Sequence, residues 1–223
     1  NISNPIHQAL IATLFTWMMT ACGASLVFLF KNTKRKTFDS ILGFTGGVMI
    51  AASFCSLLTP SLSHTETQAG SILPAWFAPT IGLLAGALFL MFIDRFIPDY
   101  KRMCYEKDKK SKNEESDWRC TLLLVIAMTV HHIPEGLAVG VAFGALHHNI
   151  PGYELGSAIA LMIGTAIQNF PEGFAVSMPL KRQGMSTKKS FFWGQLSSIV
   201  EPIFGMIGAA TVVYSLPILP YAL

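Results

Sequence analysis

All sixteen lysines and arginines of this chain fall in three stretches between apolar runs, and no other feature restricts its fold as much. Lys31, Lys34, Arg35 and Lys36 follow the first run. Arg95, Lys101, Arg102, Lys107, Lys109, Lys110, Lys112 and Arg119 lie between the third and fourth runs or at their ends. Lys181, Arg182, Lys188 and Lys189 follow the fifth. The apolar runs cover about 6–30, 41–62, 75–97, 119–146, 156–180 and 191–214. Each is close to the ~20 residues that cross a bilayer as helix. Charged residues make up 13% of the chain, against about 25% in a soluble domain. The reading is an all-α polytopic membrane protein with six transmembrane helices in one domain.

Cations collect on the cytosolic side of such proteins. The three basic connections, including the hydrophilic loop 98–118, are therefore expected in the cytosol, and the N-terminus outside or in a lumen. The net charge of +3 then reports topology. A nucleic-acid partner would need a basic surface with base-stacking or groove-reading elements, and the sequence offers none. The partner expected from this patterning is the lipid bilayer. Cys22, Cys55, Cys104 and Cys120 have neither the spacing of a zinc knuckle nor that of a disulfide framework.

Within the fourth and fifth runs a motif occurs twice, 37 residues apart: Val130-His131-His132-Ile133-Pro134-Glu135-Gly136 and Ile167-Gln168-Asn169-Phe170-Pro171-Glu172-Gly173. His131 and Glu135 stand at i, i+4 and share a helix face, as do Gln168 and Glu172. His132 and Asn169 flank that face, rotated about 100°. Ionisable groups inside a membrane are costly unless paired or ligated, so they mark function. No basic residue interrupts any run, so the glutamates lack an internal cation other than a histidine or a bound metal. The bland alternative is two proline bends with structural carboxylates. Imidazole with carboxylates suits Zn²⁺ and also Fe²⁺, Mn²⁺ or Cd²⁺. Pro134 and Pro171 each remove a helix hydrogen bond and are expected to kink the fourth and fifth helices. Glu201-Pro202 repeats the acid–proline pair in the sixth run. In the second run Met49, Ser53 and Ser56 share one face, and Gly43, Gly46 and Gly47 are small residues of the kind that let helices approach.

At these residues the sequence resembles the ZIP (Zrt/Irt-like protein) family of divalent-metal transporters, and within it the GufA-like branch. The carriers are the two motifs and Val200-Glu201-Pro202, supported by the stretches 43–53 and 94–98. The resemblance implies a binuclear site on the transport path. One position takes Met49, His131, Glu135, Gln168 and Glu172; the other takes His132, Glu135, Asn169, Glu172 and Glu201. Ser56 and Asp94 match positions on the metal path. His132 stands where the family commonly has Asn, and Asn169 where relatives often have Asp. The family typically has eight spans, so the resemblance implies that the seventh and eighth lie outside this sequence. The expected function is transport of Zn²⁺ or a similar ion toward the cytosol, with the metal as cargo and no resident cofactor. Small-residue faces are where a homodimer would form. A membrane-embedded metal hydrolase is the rival; it needs an open coordination position and a base, and no His-Glu-x-x-His occurs. A metal sensor that binds without flux is the third reading.

Overall fold

The computed structural model describes residues 4–30, 35–59, 61–62, 74, 76–96, 114–146, 154–182 and 184–215, and every regular element among them is helical. Helix α1 is Pro5–Leu29, α2 is Arg35–Ala52, α3 is Phe77–Phe96, α4 is Glu114–Ala145, α5 is Leu155–Arg182, α6 is Thr187–Leu196 and α7 is Val200–Ser215. The stretches 5–29, 125–145 and 187–212 are long and apolar enough to span a bilayer; Asp39–Cys55 and Phe77–Phe89 are apolar but shorter. Helix α5 has the length, but Gln168, Asn169 and Glu172 interrupt its apolar surface. The chain is a polytopic helical membrane protein.

Helix α1 starts where Asn4 accepts a hydrogen bond from the Ile6 amide, with Pro5 at the first helical position. At its other end the Lys181 ammonium donates to the carbonyls of Val27 and Phe30. A cation on the last carbonyls of a helix complements its dipole, and here it ties the ends of α1 and α5 together. The buried face of α1 is a stripe of small residues and hydroxyls: Ala9, Ala12, Thr13, Thr16, Thr20, Gly23 and Ala24, ending at Val27. Its other face exposes Ile11, Leu14, Phe15 and Met18, which suits lipid.

Two seams bring backbones close enough to position the site. On α4, a Cβ on Gly136 would fall within 2.8 Å of Glu201 backbone atoms, and one on Gly140 would strike the Gly205 carbonyl. Between α1 and α5, Gly173 faces the Thr20 carbonyl and Gly23 the Phe170 carbonyl. Close approach of this kind drives association where water supplies no hydrophobic force. The small residues singled out in the second run do not do this: a Cβ on Gly43, Gly46 or Gly47 meets nothing described within 4 Å. Helix α2 packs chiefly on α5, through larger side chains.

Three further departures from the sequence reading have physical causes. The sixth span is two helices, broken at residues 197–199. Pro202 has no N–H for the Ser198 carbonyl, and the chain adjusts: Ile199 and Glu201 bond three residues back, to Leu196 and Ser198. The hydroxyls of Ser197 and Ser198 cover the carbonyls of Gly194 and Gln195. Helix α4 begins at Glu114, inside the expected loop 98–118. Residues 97–113 lie outside the described residues. Finally, α2 continues into a π-helical turn, Ser53–Leu58, where the Thr59 hydroxyl donates to Phe54 O. Helices α4 and α5 run without interruption through Pro134 and Pro171.

Candidate metal centre

The two Pro-Glu-Gly turns meet where α4 crosses α5, and the break before α7 brings Glu201 to the same place. His131 and Glu135 stack one helical turn apart, with His131 Nε2 3.5 Å from Glu135 Oε1. The amide of Gln168 crosses from α5 and donates to that same oxygen at 2.5 Å. His132 is fully buried; its Nε2 lies 3.4 Å from Glu172 Oε2 and 3.7 Å from Glu201 Oε1. On the far side of the ring, Nδ1 is 2.6 Å from the Met128 carbonyl. A carbonyl only accepts, so Nδ1 carries a proton, and Nε2 is the ring atom turned toward the two carboxylates.

Glu201 is fully buried in the first turn of α7. The amide of Asn169 donates to both its oxygens, at 2.8 and 2.9 Å. The Thr16 hydroxyl donates to Oε2 at 2.5 Å, and the Asn169 amide also reaches the Thr16 carbonyl at 3.2 Å. Thr16 did not figure among the sequence candidates. Its signal was available: Thr13, Thr16 and Thr20 place hydroxyls along one face of an otherwise apolar helix. Thr16 acts through Glu201 and is a positioning residue. Thr16→Val is expected to weaken Zn²⁺ binding about tenfold or more, the usual cost of losing a group that orients a ligand. Calorimetric titration of purified protein checks this. Thr16→Ser restores binding if the hydroxyl matters, and equal affinities in all three forms would remove Thr16 from the site.

Donor atoms fall in two overlapping groups. One atom from each of His131, Glu135 and Glu172 lies within 4.8 Å of the others, and the same holds for His132, Glu135 and Glu201. Ligands about 2.0–2.1 Å from a tetrahedral Zn²⁺ are spaced by about 3.3 Å, close to the 3.4–3.7 Å His–Glu separations here. Buried polar atoms normally find partners. Yet His132 Nε2, Glu135 Oε2, Asn169 Oδ1 and Glu172 Oε2 are buried and make no hydrogen bond. These four acceptors come from the two motifs, a donor set that fits a cation. The structure thus gathers His131, His132, Glu135, Gln168, Asn169, Glu172 and Glu201. Met49 and Ser56 lie on α2 and its π turn, and Asp94 on α3, but their side chains are outside the described residues.

Comparison with known proteins points the same way. The family described as ZIP Zinc transporter matches residues 106–217, the segment that holds both motifs and Glu201. The chain is 36% identical to Zinc transporter ZIP11 of Xenopus tropicalis, over 99% of this chain and 84% of that protein. It is 36% identical to Zinc transporter ZIP11 of Homo sapiens, over 98% and 84%. With Zinc transporter GufA of Myxococcus xanthus the identity is 33%, over 96% and 80%.

Proposed function

The chain belongs to the ZIP zinc transporter family, and from that premise we propose that it carries Zn²⁺ or a similar divalent ion toward the cytosol through the centre between α4, α5 and α7. The observation that carries the reading is the set of buried donor atoms without a hydrogen bond on His132, Glu135, Asn169 and Glu172, gathered at one place with His132 Nε2 3.4 Å from Glu172 Oε2. Among the described residues these carboxylates pair with histidines and with no lysine or arginine, and a bound cation completes them. The two donor groups form a graded path. His131 is one-third exposed, whereas His132 and Glu201 are at 0%. An ion enters at His131, Glu135 and Glu172 with part of its water, and exchanges that water for protein donors as it moves toward His132 and Glu201. Glu135 belongs to both groups and bridges the step. Met49, Ser56 and Asp94 extend the path by resemblance alone.

Freed backbone supports the same reading. Pro134 and Pro171 leave the carbonyls of Val130 and Ile167 without their helix partners, and in a membrane such carbonyls find partners or line a wet cavity. The segregation of all sixteen Lys and Arg residues supports an N-terminus outside or in a lumen and metal delivery to the basic side. The donor types admit Fe²⁺, Mn²⁺ and Cd²⁺ as competitors. A homodimer through exposed small-residue faces remains part of the proposal.

The test is uptake of radiolabelled Zn²⁺ into proteoliposomes, with Cd²⁺, Mn²⁺ and Fe²⁺ in competition. Saturable flux reduced by Cd²⁺ is the expected result. Stoichiometric Zn²⁺ binding without flux, in protein shown to be folded and inserted, would overturn transport in favour of a sensor.

A further inference from the structure

Trp17 follows Thr16 on α1, and its indole Nε1 donates to the Gln195 carbonyl at 3.0 Å. That carbonyl belongs to the last turn of α6, just before the break at residues 197–199. In a regular helix it would accept from the Ile199 amide, four residues on. Here the Ile199 amide goes to Leu196 instead. The break leaves the Gln195 carbonyl to side chains: Trp17 at 3.0 Å and the Ser198 hydroxyl at 3.4 Å. A carbonyl freed inside a membrane needs such partners.

Hydrogen bonds rather than packing hold this break. From Gln195 to Val200 the buried residues are Ser197 and Ser198, and no apolar side chain is fully buried. The buried residues of α6 are Ser190 and Gly194, which offer little apolar surface. Its Phe191 and Trp193 are partly buried against neighbouring clusters, and both precede Gln195. Helix α1 grips the chain on each side of the break from two adjacent residues. Trp17 takes the carbonyl before it, and Thr16 takes the Glu201 carboxylate after it. Asn169 of α5 closes the arrangement by donating to the Thr16 carbonyl and to Glu201.

We propose that Trp17 is a positioning residue for the metal centre: its indole fixes the break between α6 and α7 at the geometry that delivers Glu201 to His132. The inference rests on reading that centre as a metal site and on nothing about flux. Trp17 acts through Gln195 and the three residues of the break. Two ties from one rigid helix define the direction of the chain between them, where either tie alone would let it swing. Loss of the indole N–H should therefore slacken the hold on Glu201 while every candidate ligand stays in place.

A double-mutant cycle on the detergent-purified chain tests this, with calorimetric titration of Zn²⁺ as the readout. Trp17→Phe keeps an apolar ring and removes the N–H. It is expected to weaken the Zn²⁺-binding step that depends on Glu201 by about three- to tenfold, the range for one hydrogen bond. In a Glu201→Gln background the same change should cost less than about twofold, because the carboxylate it positions is gone. Trp76→Phe, the same change at an exposed tryptophan ahead of α3, should leave affinity unaltered. Undiminished affinity in Trp17→Phe, or equal losses in both backgrounds, would overturn the proposal and leave Trp17 a packing residue. A parent protein that binds no Zn²⁺ would instead overturn the centre itself. If Trp17→Phe does not fold, the indole N–H resonances of isotope-labelled parent protein decide. Zn²⁺ is expected to shift that of Trp17 and to leave that of Trp76; an unmoved Trp17 resonance at saturation would refute the role.

Discussion

Protein carrying Glu135→Ala together with Glu172→Ala is expected to take up no Zn²⁺ above empty-vesicle background. The fall should be about a hundredfold or more, beyond the ten- to hundredfold that loss of a supporting group costs. Glu135 belongs to both donor groups, and Glu172 belongs to one and sits 3.4 Å from His132 in the other. Removing both leaves neither position with more than one carboxylate. Either single change leaves one bridging carboxylate and should give an intermediate rate. The double variant is expected to fold, because the lost carboxylates make no ion pair with lysine or arginine among the described residues and a buried charge without a partner is a liability. A melting series separates the two effects. Zn²⁺ should raise the midpoint of the parent, since it binds only the folded state, and should not move that of the variant. The exposed Glu154 provides a control: Glu154→Gln should leave uptake within about twofold, as surface changes do. Undiminished uptake by the double variant at equal vesicle content would sink the site.

The second large effect concerns the seam between α4 and α7. Gly140→Leu is expected to prevent accumulation of folded protein, read as loss of a monodisperse peak and of a cooperative melt. The first atom of the new side chain would already strike the Gly205 carbonyl. Gly205 has no side chain to withdraw, and its own pocket is filled by Thr13. Overpacking of a tight core typically costs about 1–3 kcal/mol, and a backbone contact can relax only by parting the helices. Parting them moves Glu201 from His132, so Gly140→Ala should show weakened Zn²⁺ binding along with its lower midpoint. A Gly140→Leu protein that melts like the parent would show that the seam is looser than described.

The sequence made the donor set legible because its chemistry contradicts its surroundings. His131, His132, Glu135, Gln168, Asn169 and Glu172 stand in apolar runs at helical spacing, and the structure brings them together with Glu201. The helical segments were legible for the same reason of contrast with polar loops. Contrast failed inside the membrane. One face of α1 and one of α2 both offer small residues, and lipid is as apolar as a neighbouring helix; no polarity pattern tells which face meets protein. The seams therefore appear at Gly23, Gly136, Gly140 and Gly173 rather than at Gly43, Gly46 and Gly47. Thr16 was hidden because a hydroxyl that satisfies its own helix, as Thr13 does on Ala9 O, looks the same in sequence as one that reaches a carboxylate. The break at residues 197–199 had its cause in plain sight at Pro202, but proline alone does not say whether a helix bends or parts. At Pro134 and Pro171 the helices stay continuous.

His131 and His132 are neighbours in the chain with rings set 69° apart, and their tethers differ. The His132 ring is pinned through Nδ1 to Met128 and shut off from solvent. His131 has one described polar contact, Glu135 at 3.5 Å, and retains access to the outside. A pinned donor needs no rearrangement to bind and resists letting go; a loosely held one exchanges quickly. Affinity in related sites is set mostly by departure rates. In the proposed transport, two adjacent residues would divide the passage in time, with brief residence of the ion expected at His131 and long residence at His132.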